Sequence, residues 1–225
     1  MKYLKQLLKE KSIWFLMIPF LAWMLFMIVK YGKGPSHLMV NQWHSEWADQ
    51  FFKYITHLGD GAIFAVVIVI LAFYRLRWSL YLLFASLFTL LFVFITKQII
   101  FNGMPRPTKY FENQEVLHLV AGVKMHSWNT FPSGHTITAF AIFMILVLVT
   151  KKEYFKYVFV LAAIFAGYSR VYLSQHFLGD VLSGAIIGTA IAVISCALVD
   201  NWSLLNKGQW MDKDITQLFA RTNEQ

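Results

Sequence analysis

The sequence predicts an all-α integral membrane protein with six transmembrane helices and a long extracytoplasmic loop. Of its 225 residues, 58% are hydrophobic and only 14% are charged, which is too apolar for a soluble domain of this length. The hydrophobic residues form several segments that approach the roughly 20 residues needed to cross a bilayer core about 30 Å thick. Polar stretches, many of them basic, separate these segments. One compact helical domain is therefore expected.

Each predicted span has its own local signals. The first follows four lysines and resembles a signal peptide, but it lacks a small-residue cleavage site, so we predict an uncleaved span kinked at Pro19. The second span is short unless residues 55–60 extend it. Gly184 and Gly188 in the sixth allow close helix packing. The predicted spans cover about residues 12–29, 61–73, 78–101, 132–149, 157–173 and 180–199, with the long loop at 102–130.

The basic residues predict how the protein is oriented in the membrane. Six spans place both termini on one side, and twelve of the twenty Lys and Arg residues fall on that side. By the positive-inside rule, the termini and the polar tail at 201–225 are expected in the cytoplasm. The chain is predicted to be a single domain, 1–225, with its core at about 60–200. The twelve residues are Lys2, Lys5, Lys9, Lys11, Arg75, Arg77, Lys151, Lys152, Lys156, Lys207, Lys213 and Arg221.

Composition argues against several classes of function. A formal charge of +8 does not indicate nucleic-acid binding here, because the basic residues are spread between apolar segments and form no continuous patch. The single Cys196 cannot form an internal disulfide and is expected to be a packing residue. His118 and His126 have no Cys, Asp or Glu at ligand spacing, so we expect exposed loop residues and no metal site.

Three cations are predicted to meet at the outer membrane interface. Lys97, Arg106 and Arg170 come from the ends of the third and fifth spans and from the loop between the third and fourth. A single cation at a span end commonly extends to the lipid headgroups. Three at one level indicate a phosphate site instead, because the guanidinium fork matches phosphate oxygens and lysine adds a mobile point charge.

A turn precedes the fourth span and has the residues of an anion site. Ser133 and Gly134 stand where the chain enters a helix, and helix N-termini expose unpaired N–H groups that bind anions. Ser133 is either a simple N-cap or a phosphate ligand, and Gly134 has no side chain to hold a ligand away. His135 titrates near neutral pH and is a candidate proton donor to a leaving oxygen.

The third group is His176 with Asp180, four residues later. If this segment is helical, the two side chains share one face, and the carboxylate fixes the tautomer of the imidazole. The other ring nitrogen is then free to act as a nucleophile or base. Such a pair alone is more often structural, but Arg170 lies six residues earlier at the same interface, which favours a functional site.

These groups together resemble the three signatures of the type 2 phosphatidic acid phosphatase superfamily. Ser169-Arg170 followed by His176 and Asp180 has the full spacing of the third signature, and residues 132–135 are similar to the second. Lys97 with Arg106-Pro107 resembles the first, although eight residues separate them where six are usual. The resemblance covers about residues 60–200.

The resemblance implies a role for each residue. His176 would attack phosphorus and form a phosphohistidine, Asp180 would orient it, and His135 would protonate the leaving group and then activate water. Five groups would hold the phosphoryl oxygens. No metal or other cofactor is implied, since fixed cations take over the electrostatic role. The five groups are Lys97, Arg106, Ser133, Gly134 and Arg170.

The resulting hypothesis is a membrane phosphatase that removes a terminal phosphate from a lipid at the outer face of the cytoplasmic membrane. Candidate substrates are undecaprenyl diphosphate, phosphatidylglycerol phosphate, phosphatidic acid and lipid A phosphates. A vanadate haloperoxidase with similar residues is a rival, but those enzymes are soluble. The alternative of another class is a phosphate-binding lipid transporter without turnover, which usually has ionisable groups at mid-membrane. The oligomeric state is left open.

Overall fold

The computed structural model describes residues 2–114, 117–206 and 210–220, and these residues form helices and connecting loops without a β-strand. Lys207 and Arg221, two of the basic residues used for orientation, lie outside the described residues. Two π-helical turns, Ile13–Met17 and Ile95–Ile100, adjoin long helices. The helices are α1 (Lys2–Leu7), α2 (Ile18–Tyr31), α3 (Lys33–Asn41), α4 (Glu46–Ile55), α5 (Ala62–Ala72), α6 (Leu76–Phe94), α7 (Pro107–Tyr110), α8 (Gly134–Val149), α9 (Glu153–Tyr172), α10 (Leu178–Asn201) and α11 (Ile215–Ala220).

The core of the molecule is built around α8. Twelve of its sixteen residues are buried, and α6, α9 and α10 pack around it. The close packing predicted for Gly184 and Gly188 is confirmed. A Cβ atom on Gly188 would lie 2.5 Å from the carbonyl oxygen of Ile137, and one on Gly184 would lie 3.0 Å from that of Ser133. The two glycines therefore allow α10 to lie against the backbone of α8.

Gly188 supplies the first testable prediction. Gly188→Ala places a methyl group where α8 leaves no room, so we expect it to lower the free energy of unfolding by about 1–3 kcal/mol. Thermal unfolding in detergent measures this loss. Gly179→Ala is the matched control on the same helix, because a Cβ there meets nothing within 4 Å. Equal unfolding temperatures for the two variants would contradict the close contact between α8 and α10.

The N-terminus and the end of α10 lie together at one end of the bundle. Asp200 accepts hydrogen bonds from Lys2 Nζ at 3.3 Å and from Arg77 NH1 at 3.0 Å, and it is also bonded to Tyr3 and Tyr81. We call this the terminus end. Asp180 stands twenty residues earlier on α10, about 30 Å away at 1.5 Å per residue, a distance close to the bilayer core thickness.

The helices coincide with the predicted spans, but their lengths do not all suit a full crossing. Among the described residues, three helical segments are long and apolar enough to cross a membrane: Ile13–Tyr31, Leu76–Ile100 and Leu178–Asn201. A fourth results if Glu46–Gly59 and Ala62–Ala72, which meet at 64°, are counted as one broken span. The count of six therefore stays a prediction.

The second predicted span is bent, and Pro19 lies inside the first. Residues 56–59 do continue α4, as a 3₁₀ turn, but the chain bends at Asp60 before α5 begins. Pro19 lies within the continuous helical segment Ile13–Tyr31, directly after the π-helical turn Ile13–Met17, and a kink there stays a prediction.

Candidate active site

The backbone carbonyls of Trp128 and Asn129, in one short loop, accept hydrogen bonds from two of the predicted cations. The carbonyl oxygen of Trp128 accepts a hydrogen bond from Arg106 Nε at 2.9 Å, and that of Asn129 accepts one from Lys97 Nζ at 2.9 Å. Asn129 has a φ of 58°, a left-handed conformation that asparagine tolerates, and its side chain accepts from Gly103 N. Neighbouring carbonyls therefore fix the two cations relative to each other.

Lys97 contacts the same loop as Arg106 despite its unusual spacing. Lys97 lies on the π-helical turn Ile95–Ile100, and such a turn accommodates extra residues within a helix. The two ends of the long loop then pair: Arg106 N donates to Ser127 O at 2.9 Å, and Thr130 N to Met104 O at 3.2 Å. Lys97 and Arg106 thus both donate to carbonyls of the loop at 128–129, while their shared role in phosphate binding stays a prediction.

His176 and Asp180 are brought together by a helix cap. His176 lies two residues before α10, so the predicted helical pairing on one face is wrong. Asp180 reaches back to the start of its helix and accepts from Phe177 N at 2.9 Å and from the Thr130 hydroxyl. His176 Nδ1 lies 3.5 Å from Asp180 Oδ2 and 3.4 Å from Thr130 Oγ1. Thr130 is a contact that the sequence did not predict.

The environment keeps the His176 imidazole neutral. The residue is 1% exposed. Burial first, and then the positive charges of Arg106, Lys97 and Arg170, hold the pKa of His176 well below its ordinary value of 6.5. With Nδ1 next to Asp180, Nε2 makes no hydrogen bond among the described residues. A neutral imidazole with one free nitrogen has the protonation state of a nucleophile.

The turn before His176 is supported from α3. Ser174 has a φ of 51°, which is strained for a residue other than glycine. Its hydroxyl contacts His37 Nε2 at 3.2 Å and Asn41 Nδ2 at 3.1 Å. His37 is fully buried, which lowers its pKa to about 4, so it stays neutral at physiological pH. The N-terminal part of the chain thus helps to shape the site.

Arg170 is a buried cation with spare hydrogen-bonding capacity. Its side chain donates from NH1 to Thr56 Oγ1 at 2.6 Å, and the residue is only 7% exposed. Its Nε is fully buried and has no partner among the described residues. An unpaired buried donor of this kind is costly, and it points to an anionic ligand that completes the site. Arg106 is held on the same side by Gln175, whose Oε1 accepts from NH1 at 3.1 Å.

The turn at Ser133 and Gly134 forms the predicted helix start. Ser133 is the N-cap of α8, and its Oγ accepts from Thr136 N at 3.4 Å and from Thr136 Oγ1 at 2.8 Å. As an acceptor in both contacts, the hydroxyl keeps its own proton for a further bond. A Cβ on Gly134 would meet only Val93, at 3.7 Å, so packing does not require glycine there. The phosphate-binding role of both residues stays a prediction.

Asp60 is a site residue that the sequence did not predict. One of its carboxylate oxygens lies 2.7 Å from His135 Nε2, and the other lies 2.7 Å from His57 Nδ1. His135 therefore has a carboxylate partner, as His176 does. A signal was available: Asp60 is an acidic residue at the edge of an apolar segment, on the predicted level of the three cations. His57 is a near neighbour in sequence, but no local spacing revealed the contact with His135.

A cavity of about 330 Å³ opens beside His135 and Arg170. It lies between the end of α4, the loop at 121–126 and the start of α8, and we call this end of the bundle the site end. His176, Lys97 and Arg106 do not line it. The other lining residues are Lys53, Thr56, His57, Asp60, Gly122, Val123, Lys124, His126 and Gln175.

The two loop histidines differ in their environments. His126 is exposed beside the cavity, as predicted. The prediction is wrong for His118, whose Nε2 lies 2.9 Å from Asp49 Oδ2 and whose ring stacks on His44 at 3.8 Å. Within residues 2–114, 117–206 and 210–220, no three His, Cys, Asp or Glu side chains are arranged to hold a metal ion.

Asp60→Asn tests whether Asp60 acts through His135. Asparagine keeps the size of the side chain but removes the charge, so we expect kcat for phosphatidic acid, whose leaving group is an alcohol, to fall about ten- to a hundredfold with little change in KM. A substrate with an acidic leaving group, such as p-nitrophenyl phosphate, needs less protonation and should lose less activity. Glu46→Gln, an exposed acidic residue at the same end, is the control. An equal loss with both substrates would contradict this role.

Comparisons with known proteins identify the family of this chain. The sequence model described as the PAP2 superfamily matches residues 78–203. Phosphatidylglycerophosphatase B of Bacillus subtilis is 30% identical over 155 residues, covering 63% of this chain and 70% of that protein. Lipid phosphate phosphatase 1 of Arabidopsis thaliana is 32% identical over 162 residues, which are 58% of this chain but only half of the plant protein.

A solved structure extends the likeness to three dimensions. The crystal structure of LpxE from Aquifex aeolicus superposes with a TM-score of 0.63 at 28% identity, over 72% of this chain and 92% of that one. The family match covers more than half of the chain and includes all the predicted site residues. The protein is thus a helical membrane protein of a family that contains lipid phosphatases, and its chain belongs to the PAP2 superfamily.

Proposed function

We propose that the protein is a metal-independent lipid phosphate phosphatase that works through a phosphohistidine on His176. The observation that carries this proposal is the buried guanidinium of Arg170, whose Nε has no partner among the described residues. It stands close enough to His176 for its charge to act on the imidazole, as Arg106 and Lys97 also do. A tetrahedral phosphoryl group supplies the oxygens that these donors lack.

In the first step, Nε2 of His176 attacks phosphorus and a P–N bond forms. The P–O bond to the leaving group breaks, and the departing oxygen takes a proton from His135. Because Nε2 of His135 faces Asp60, we assign this transfer to its Nδ1. Asp180 and Thr130 hold the other side of the His176 ring, so the attacking nitrogen keeps its orientation.

In the second step, water replaces the histidine. Neutral His135 takes a proton from a water molecule as that water attacks phosphorus, and the P–N bond breaks. Inorganic phosphate leaves, and His176 recovers its electron pair. Asp60 stabilises the protonated form of His135 that results, which prepares it for the next cycle.

The phosphoryl oxygens are held by groups already in place. Lys97, Arg106 and Arg170 supply positive charge, while the Ser133 hydroxyl and the Gly134 N–H supply donors at the start of α8. Fixed donors in a buried site stabilise charge that develops in the transition state without reorganisation. This is the electrostatic role that magnesium performs in other phosphoryl-transfer enzymes.

The substrate is proposed to be a lipid whose phosphate lies at the outer face of the cytoplasmic membrane. The separation of about one bilayer core between the site end and the terminus end supports this, given the cytoplasmic termini that the positive-inside rule predicts. The candidates are undecaprenyl diphosphate, phosphatidylglycerol phosphate, phosphatidic acid and lipid A phosphates. The transporter alternative gains no support from the relatives, whose names describe phosphatases.

Phosphate release from this panel by the purified protein is the direct test. We expect release from at least one lipid at a rate that excess chelator does not lower. Loss of activity in chelator, with recovery on adding a divalent cation, would contradict metal independence. Movement of an intact lipid phosphate across liposomes without phosphate release would instead support the transporter.

A further inference from the structure

We propose that the preferred substrate has an anionic leaving group, and that Lys53 and Lys124 form a subsite for this second phosphate. The inference rests on the proposed function and deepens it. It concerns the cavity of about 330 Å³ beside His135. The class of substrate is a lipid in which a further phosphate links the hydrolysed phosphate to the tail.

The cavity lies on the side of the site where the leaving group must be. In an in-line displacement the attacking and leaving groups occupy opposite sides of phosphorus. His176 is the proposed nucleophile and does not line the cavity, whereas His135, the proposed proton donor, does. Atoms that depart with a proton from His135 therefore enter this space. Its volume is about ten times the 30 Å³ share of a water molecule, which leaves room for a phosphate and its linker.

The charges around the cavity favour an anionic occupant. Lys53, Lys124 and Arg170 are lining residues, and Asp60 is the one carboxylate among them. Both oxygens of Asp60 already contact histidines, His57 and His135. The remaining positive charge is not balanced by other lining groups. A neutral leaving group, such as diacylglycerol, would displace the water that solvates these cations. It would offer them no charge or comparable hydrogen bonds in return.

Both lysines stand in places set by the loop at 121–126. Lys53 Nζ donates to Ala121 O at 2.8 Å and lies against Gly122, so two of its three donors are left for a ligand. The backbone carbonyl of Lys124 accepts from Gln175 Nε2 at 3.1 Å, which ties this loop to the residue beside His176.

The pKa of His126 is affected by the same positive charges. Burial first, and then the charges of Arg106, Lys124, Arg170 and Lys97, lower the pKa of His126 below its ordinary value of 6.5. An anion in the cavity would offset these charges and favour protonation of the ring. A second phosphate thus fits the electrostatics of the outer cavity as well as its position.

The second phosphate can belong to a diphosphate or to a phosphodiester farther along the headgroup. Matched pairs of substrates distinguish these two cases. Undecaprenyl diphosphate is compared with undecaprenyl phosphate, and phosphatidylglycerol phosphate with phosphatidic acid of the same acyl chains. For each pair the ratio of kcat/KM is measured in the same detergent micelles. We expect a ratio of about ten or more in at least one pair, since a charge-assisted hydrogen bond contributes about a tenfold factor. The pair with the larger ratio identifies the linkage.

Lys53→Gln and Lys124→Gln test the assignment of the subsite. Each single variant should lower the ratio of kcat/KM between the substrate with the second phosphate and its matched partner about five- to tenfold. The double variant should bring this ratio near one. Lys30→Gln is the control, because Lys30 is an exposed lysine at the same end that does not line the cavity. Phosphate release with a ratio near one in both pairs, or a ratio unchanged in the double variant, would overturn the inference. Absence of release from every lipid would instead overturn the proposed function.

Discussion

Replacing His176 with asparagine is expected to lower kcat by about four orders of magnitude or more. Asparagine preserves a polar side chain of similar size but cannot form the phosphoryl bond, and loss of a nucleophile removes the whole covalent pathway. Steady-state phosphate release from the lipid of highest activity measures the effect. The change concerns a residue that is 1% exposed, so folding must be checked in parallel.

Two controls make the His176 result interpretable. The variant should keep the thermal unfolding temperature of the wild type within a few degrees, and it should still bind inorganic phosphate, because the cations of the site are unchanged. His44→Gln alters an exposed histidine at the site end and should leave kcat unchanged. A His176→Asn protein with the wild-type rate would refute the mechanism, whatever its stability.

Arg170→Gln is the second change with a large expected effect. It removes a cation whose unpaired Nε we assign to a phosphoryl oxygen, so kcat/KM should fall about a hundredfold or more, as for loss of an oxyanion donor. Arg170→Lys should recover only part of this loss, because an ammonium group cannot offer the planar fork of a guanidinium. Phosphate release at low substrate concentration measures both variants.

The thermal stability of the Arg170 variants distinguishes a functional role of this residue from a structural one. A buried cation without a bonded carboxylate costs desolvation energy, so its removal should leave thermal stability unchanged or raise it. A structural arginine would behave in the opposite way, with lower stability and little change in rate. Arg75→Gln, at the terminus end where Arg75 pairs with Asp212 at 2.8 Å, should leave the rate unchanged.

The site residues could be predicted because they interrupt an apolar sequence. In a chain with 14% charged residues, a cation or histidine at the edge of a span stands out from its background. The structure brings Lys97 and Arg106 to one loop and places His176 beside Asp180, which agrees with the predicted grouping. Lys97, whose spacing differed from the family, reaches the loop through a π-helical turn that the sequence pattern did not reveal.

The partners of the two histidines were harder to foresee. Asp60 precedes His135 by 75 residues, and Thr130 precedes Asp180 by 50, so no local spacing connects them. Their contacts depend on how the turn at 56–59 packs against α8 and how the long loop meets α10. The pairing of His176 with Asp180 was predicted for the wrong reason, since a helix cap, and not a shared helical face, brings them together.

The membrane topology could be predicted less completely than the site. Hydropathy marks where apolar segments lie, but it does not reveal that α4 and α5 meet at 64°, or that α8 has only sixteen residues. α8 is enclosed by other helices, so its length need not match the bilayer. Span counting assumes that each apolar segment faces lipid along a full crossing, an assumption that does not suit a buried central helix.

Trapping the covalent intermediate tests the central claim most directly. The purified enzyme is mixed with a lipid carrying a radioactive terminal phosphate, quenched in alkali within the first turnovers and digested for peptide mapping. We predict an acid-labile, alkali-stable label on the peptide that contains His176, with no label in His176→Asn or after complete turnover. Label on any other residue, or rapid phosphate release with no labelled protein at any time, would contradict the phosphohistidine mechanism.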